Sequence, residues 1–70
     1  MDAKIRLYVD QPLGPGQAVH LSPDQAHYLT GVMRLVAGAV VLFFNGRDGE
    51  WRATLAEVGK RGAIAICDAQ

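Results

Sequence analysis

The chain of 70 residues has one cysteine, no surplus of either charge and no long apolar run. Each shortage excludes something. Cys67 has no second thiol to pair with, so an internal disulfide is impossible and a reducing compartment fits. It reads as a small packing residue. Seven Lys and Arg balance seven Asp and Glu, so no global field draws the domain onto nucleic acid or an anionic membrane. Any polyanion binding must come from local clusters. The apolar stretch Val36 to Phe44 is broken by Gly38 and is less than half the roughly 20 residues that span a bilayer. The N-terminal "MDAKIRLYVD" alternates charged and apolar residues and has no secretory apolar core. These features predict a cytoplasmic protein with no membrane partner.

There is also no repeat, no low-complexity tract and no linker, so residues 1–70 read as one domain. A chain this short buries only about 60% of the surface its unfolded form exposes. Its stability should be about 4 to 10 kcal/mol, which leaves few positions free of packing duty.

The pattern that is present is mainly β with one helix. Ile5, Leu7 and Val9 alternate with Arg6 and Tyr8, the period of a half-buried strand. "DQPLGPGQ" is a turn, and "AVHLS" from Ala18 is a second short strand. "SPDQ" starts a helix: Ser22 caps, Pro23 suits the first position, and Gln25 completes a capping box. The helix is predicted from Pro23 to about Leu35. Gly38 breaks it, and "AVVLFFN" is a strand apolar on both faces, as in a sheet covered on both sides. Asn45 to Gly49 makes a hairpin loop with Arg47 at its tip. Glu50 to Val58 alternates until the phase shifts after Leu55, which predicts a bulge at Leu55 to Ala56 with Ala56 and Val58 continuing the apolar face. "GKRG" is a turn before a last strand, Ala63 to Cys67. The order β-β-α-β-β-β favours a small antiparallel or mixed β-barrel plugged by the helix.

At about 100° per residue, Ala26, Leu29, Val32, Met33 and Val36 share one arc of the helix, predicted to pack on the barrel. His27, Thr30, Gly31 and Arg34 share the other. Gly31 costs up to about 1 kcal/mol relative to Ala in a helix, so the expectation is a notch between His27 and Arg34 where a backbone, base or sugar can approach. A plain solvated face is the commoner use of such an arc.

Catalytic constellations are missing from the sequence. His20, Asp24 and His27 fall short of the four ligands of a structural zinc site, and no thiolate joins them. "NGRDG" lacks the Lys of a phosphate-binding loop. No Ser, Cys or Thr has a base and an orienting acid at hand. The chain by itself is therefore read as a binding module and not as an enzyme, with no metal and no cofactor of its own. The functional candidates are Arg6, Arg34, Arg47, Arg52, Lys60 and Arg61, with Tyr8 beside Arg6 in the same outward phase. If the barrel gathers Arg6, Arg34 and Arg52, guanidinium groups beside an aromatic ring make a single-stranded RNA surface.

"RLYV" at Arg6 to Val9, "HYLTGVMRL" at His27 to Leu35, Gly38, "FNG" at Phe44 to Gly46, Trp51 with Ala53, and Lys60 with Arg61 come in an order that resembles the N-terminal domain of the small-subunit ribosomal RNA uracil-N3-methyltransferase family. The resemblance covers essentially the entire chain. It implies a PUA-like barrel that holds 16S ribosomal RNA ahead of a SPOUT catalytic domain, with S-adenosylmethionine bound in that second domain and a homodimeric parent. On the resemblance, Arg6, His27 and Arg34 face RNA or the catalytic domain. Tyr28, Gly31 and Ala39 depart from the family's usual residues, and Gly31 removes a basic group from the helix. The alternative is a protein-docking module with Gly31 receiving a partner or catalytic domain.

Overall fold

Alternation and turn residues carry through into the computed structural model, which describes residues 5–59 and 62–69. Strands β1 (Arg6–Tyr8) and β2 (Ala18–Leu21) come first. Helix α1 (Pro23–His27) and a π-helical turn (Tyr28–Val32) follow, then β3 (Val40–Phe44), β4 (Glu50–Gly59) and β5 (Gly62–Ala69). They build one mixed sheet in the order β1-β3-β4-β5-β2, with β1 parallel to β3 and the other pairs antiparallel. The sheet curls into a half-barrel whose edges are β1 and β2. Lys60 and Arg61, in the expected last turn, lie outside the described residues.

Side chains join the two edges where strand pairing does not. Gln11, just after β1, donates to the His20 carbonyl on β2 at 2.8 Å and to Gln25 Oε1 at 2.8 Å. Gln17 donates to the Ala18 carbonyl at 3.0 Å. An edge strand with open acceptors invites pairing with another chain, and these two amides occupy such acceptors. The "GPGQ" turn closes with Gln17 N–H donating to the Gly14 carbonyl at 3.0 Å and Gly16 at φ +72°, a conformation glycine adopts without a Cβ clash.

The inner face holds the core. Val9, Val19, Val41, Phe43 and Leu55 are fully or almost fully buried, while Arg6, Tyr8, Glu50 and Arg52 point out. From β5 the inward residues are Ala63, Ala65 and Cys67, all small, and α1 rests against β5 and β2 with Ala26 in the core, joined there by Leu29 of the π-helical turn. Burial pushes the Cys67 thiol above its ordinary value, in keeping with a packing role.

Two strand expectations are corrected. On β3, Val41 and Phe43 are buried but Val40, Leu42 and Phe44 are half-buried, because among the described residues no second layer covers the outer face. On β4 the bulge sits where the phase shift put it: Leu55 faces Ala65 and Glu57 faces Ile64, leaving Ala56 extra. Beyond it, however, Ala56 and Val58 are exposed, since the bent strand runs past the core.

The helix departs most from expectation. Its start is as read, with Gln25 N–H donating to Ser22 Oγ at 3.2 Å and Ser22 N–H to Gln25 Oε1 at 2.9 Å. Regular α geometry then stops at His27 instead of Leu35. The Thr30 hydroxyl donates to the Ala26 carbonyl at 2.8 Å and competes with the α ladder, and Gly31 adds little helical preference. Met33 N–H reaches the Tyr28 carbonyl at 3.0 Å, five residues back, so the turn widens. Leu35 N–H closes onto the Leu29 carbonyl at 2.9 Å across Arg34, which has φ +58°. Val32, Met33 and Val36 are consequently exposed and not packed on the barrel.

A left-handed backbone costs a residue with a Cβ roughly 1 to 2 kcal/mol, and helix ends usually place glycine there. Arg34→Gly is therefore expected to raise the thermal midpoint by about 2 to 8 °C, after allowing for glycine's looser unfolded state. A lowered midpoint in a thermal melt would show that the arginine side chain itself stabilises this end.

Candidate nucleic-acid interface

Strand register decides which outward residues meet. Arg6 pairs with Leu42 and Leu42 with Arg52; Tyr8 pairs with Phe44 and Phe44 with Glu50. Two adjacent rows thus cross the outer face, one Arg-Leu-Arg and one Tyr-Phe-Glu. The Arg6 guanidinium lies over the Phe44 ring, 5.3 Å from its centroid, and Arg6 Nε donates to Glu50 Oε2 at 2.7 Å. Tyr8 meets Phe44 edge-on at 5.7 Å and 70° and keeps 52% of its surface exposed. A hydrogen bond to Asp10 and the charge of that carboxylate hold the Tyr8 phenol above its ordinary value, with Arg47 opposing, so the ring is neutral at physiological pH.

Arg47 enters the same neighbourhood from the hairpin loop, its Nη2 donating to the Asp10 carbonyl at 3.1 Å. The loop is held by Asn45, whose Oδ1 accepts from Arg47 N–H at 2.9 Å and Asp48 N–H at 2.8 Å. Arg52 lies beside Leu42, Glu50 and Ala69 in a shallow depression and has no hydrogen-bond or ion-pair partner among the described residues. The Arg6–Glu50 pair is exposed on both sides, 64% and 41%, and such pairs contribute only about 0 to 1 kcal/mol.

Arg6, Tyr8, Arg47 and Arg52 therefore share one region, as four of the nine residues singled out from sequence. His27, Gly31 and Arg34 do not join them, because the helical segment rests on the inner face of the sheet. The notch expected at Gly31 is occupied: a Cβ there would come within 2.8 Å of His27 Cε1 and Nδ1, so the imidazole lies over the glycine. Arg34 instead sits among exposed Val32 and Val36, at 58% and 69%. Among the described residues, no three His, Cys, Asp or Glu side chains gather as metal ligands, and no helix is long and apolar enough to cross a membrane. Sequence reasoning missed Phe44, Glu50 and Asp10. Glu50 was within reach, since it shares the phase of Arg52, but its pairing with Phe44 needed the register of the hairpin.

A curled five-stranded sheet with one helix inside and arginines beside aromatics outside is the architecture of a small barrel of the PUA type. Residues 21–66 match the family described as the RNA methyltransferase PUA domain, and the chain belongs to that family. It is 34% identical over 56 residues to the ribosomal RNA small subunit methyltransferase E of Rickettsia conorii, a match covering 79% of the chain and 23% of that protein. A Legionella pneumophila protein solved in complex with the cofactor S-adenosylmethionine shares the fold at a TM-score of 0.85 and 28% identity over 99% of this chain and 28% of its own. The ribosomal RNA small subunit methyltransferase E of Neisseria gonorrhoeae, bound to S-adenosylmethionine, gives 0.81 and 25% over 93% and 26%. The chain spans about a quarter of the length of these relatives. The resemblance carried by the ordered motifs is thus confirmed for the family.

Proposed function

We propose that this domain holds small-subunit ribosomal RNA for an S-adenosylmethionine-dependent uridine N3-methyltransferase. The cofactor and the methyl-transfer residues belong to a SPOUT domain of the kind that makes up the rest of such enzymes, in a homodimeric parent. The observation that carries this reading is the convergence of Arg6, Tyr8, Arg47 and Arg52 on one outer face in a family of RNA methyltransferase domains. The net charge of zero means that this local cluster, not a global field, would do the binding.

The helical end supports a complementary reading. Val32, Met33 and Val36 are exposed apolar residues around a strained Arg34, a surface better suited to protein than to phosphate. In this reading His27, Gly31 and Arg34 face the catalytic domain.

Both readings are tested in one titration of the chain with a labelled fragment of small-subunit ribosomal RNA. If about three phosphates are neutralised, affinity should fall roughly twentyfold between about 50 and 200 mM salt. Arg52→Ala should weaken binding several-fold without moving the thermal midpoint, and Arg34→Ala should leave affinity unchanged. Salt-independent binding would remove the RNA reading, and a loss at Arg34 equal to that at Arg52 would remove the assignment of the helical end to protein.

A further inference from the structure

We propose that Glu50 is a built-in stand-in for an RNA phosphate, and that the outer face takes one unpaired nucleotide with its base against Tyr8 and its phosphate in place of Glu50 on Arg6. This rests on the RNA-holding role argued above and specifies how the face works. The Phe44 ring beneath and the Glu50 carboxylate alongside fix the orientation of Arg6 in the free domain, at 5.3 Å and 2.7 Å. A carboxylate on a guanidinium has the charge and hydrogen-bond geometry that a phosphodiester oxygen would have.

The exchange is physically easy. Both partners are largely exposed, at 64% and 41%, so Glu50 can turn to solvent without becoming a buried unpaired charge. Arg52 lies in the row of Arg6, with Leu42 between them, and has no partner among the described residues. A phosphate replacing Glu50 would therefore meet two guanidinium groups, of which one is occupied beforehand. Beside it, the half-exposed Tyr8 ring is braced edge-on by Phe44. A stacked duplex has no free base face to offer that ring, whereas an unpaired nucleotide does. Glu50 then acts as a filter. A phosphate alone gains little by displacing it, and a nucleotide that also stacks gains more.

The test is a double-mutant cycle on the chain, read by anisotropy with a labelled single-stranded ribosomal RNA fragment and with the same strand annealed to its complement. Glu50→Gln keeps the shape and removes the charge, and should tighten single-strand binding by about threefold to fivefold, the upper part of the range of an exposed ion pair. In an Arg6→Ala background the same change should have no effect, because its target is gone. An equal gain in both backgrounds would mean that Glu50 only repels RNA at a distance, and would overturn the proposal. So would the absence of any gain, or duplex bound as tightly as single strand. If the unaltered chain binds neither RNA, the RNA-holding role itself fails, an outcome distinct from binding that Glu50 does not govern.

Discussion

Leu29→Ala is expected to lower the stability of the domain by about 3 kcal/mol, within the range of about 2 to 5 for buried leucines. Leu29 is wholly buried and joins Ala26 in the core that seats the helical segment on the inner face of the sheet. Against a total of about 4 to 10 kcal/mol this is a large fraction, and the thermal midpoint should drop by more than about 10 °C. Val36→Ala, by contrast, should stay within about 0.5 kcal/mol, because Val36 is 69% exposed. Urea unfolding of the two variants decides between the regular helix expected from the sequence and the widened turn. Equal losses would mean that Val36 packs on the core after all.

That pair of variants marks where the sequence stopped being informative. Ala26 and Leu29 were legible because they lie close to the capped start, where the 100° phase has not drifted. Thr30 and Gly31 then spoil the ladder through a hydroxyl bond and a missing Cβ, and each later residue is displaced from its expected position. Nothing in "VMRLVAG" marks Arg34 as left-handed, since helix ends normally signal themselves with glycine and the next one along the chain is Gly38. The strands were easier. Their period is two, their ends carry glycine and proline, and even the Ala56 bulge showed itself as a change of phase.

For the candidate interface, direction was legible and adjacency was not. Alternation alone sends Arg6, Tyr8 and Arg52 outward. That Arg6 and Arg52 flank the same Leu42 depends on a parallel β1–β3 pairing between segments more than thirty residues apart, which no local pattern encodes. Whether Arg34 joins them was open in the sequence for the same reason. Its place depends on which face of the sheet the helix covers.

Asn45→Asp should destabilise the domain strongly at neutral pH and do so less as the pH falls. Asn45 is 7% exposed, and its Nδ2 donates to the Gln11 carbonyl at 3.1 Å and to Asp48 Oδ2 at 2.8 Å. The aspartate retains the acceptor for the Arg47 and Asp48 amides but loses both donors, about 2 to 4 kcal/mol for two part-buried hydrogen bonds. In the unaltered domain, the Asn45 amide first and the Leu13 N–H second hold the Asp48 carboxyl below its ordinary value of 3.8. That contribution is complete above the unfolded value and is lost as the pH falls through the folded one. In the variant two carboxylates face each other, so one of them takes up a proton above the ordinary carboxylate range, and protonation now stabilises the fold. The gap in thermal midpoint between the two proteins should therefore be widest near pH 7 and narrow towards pH 4. Because the same loop holds Arg47 against Asp10 beside Tyr8, RNA affinity at neutral pH should fall with the midpoint. A gap that stays constant with pH would show that Asn45 and Asp48 do not act as a pair.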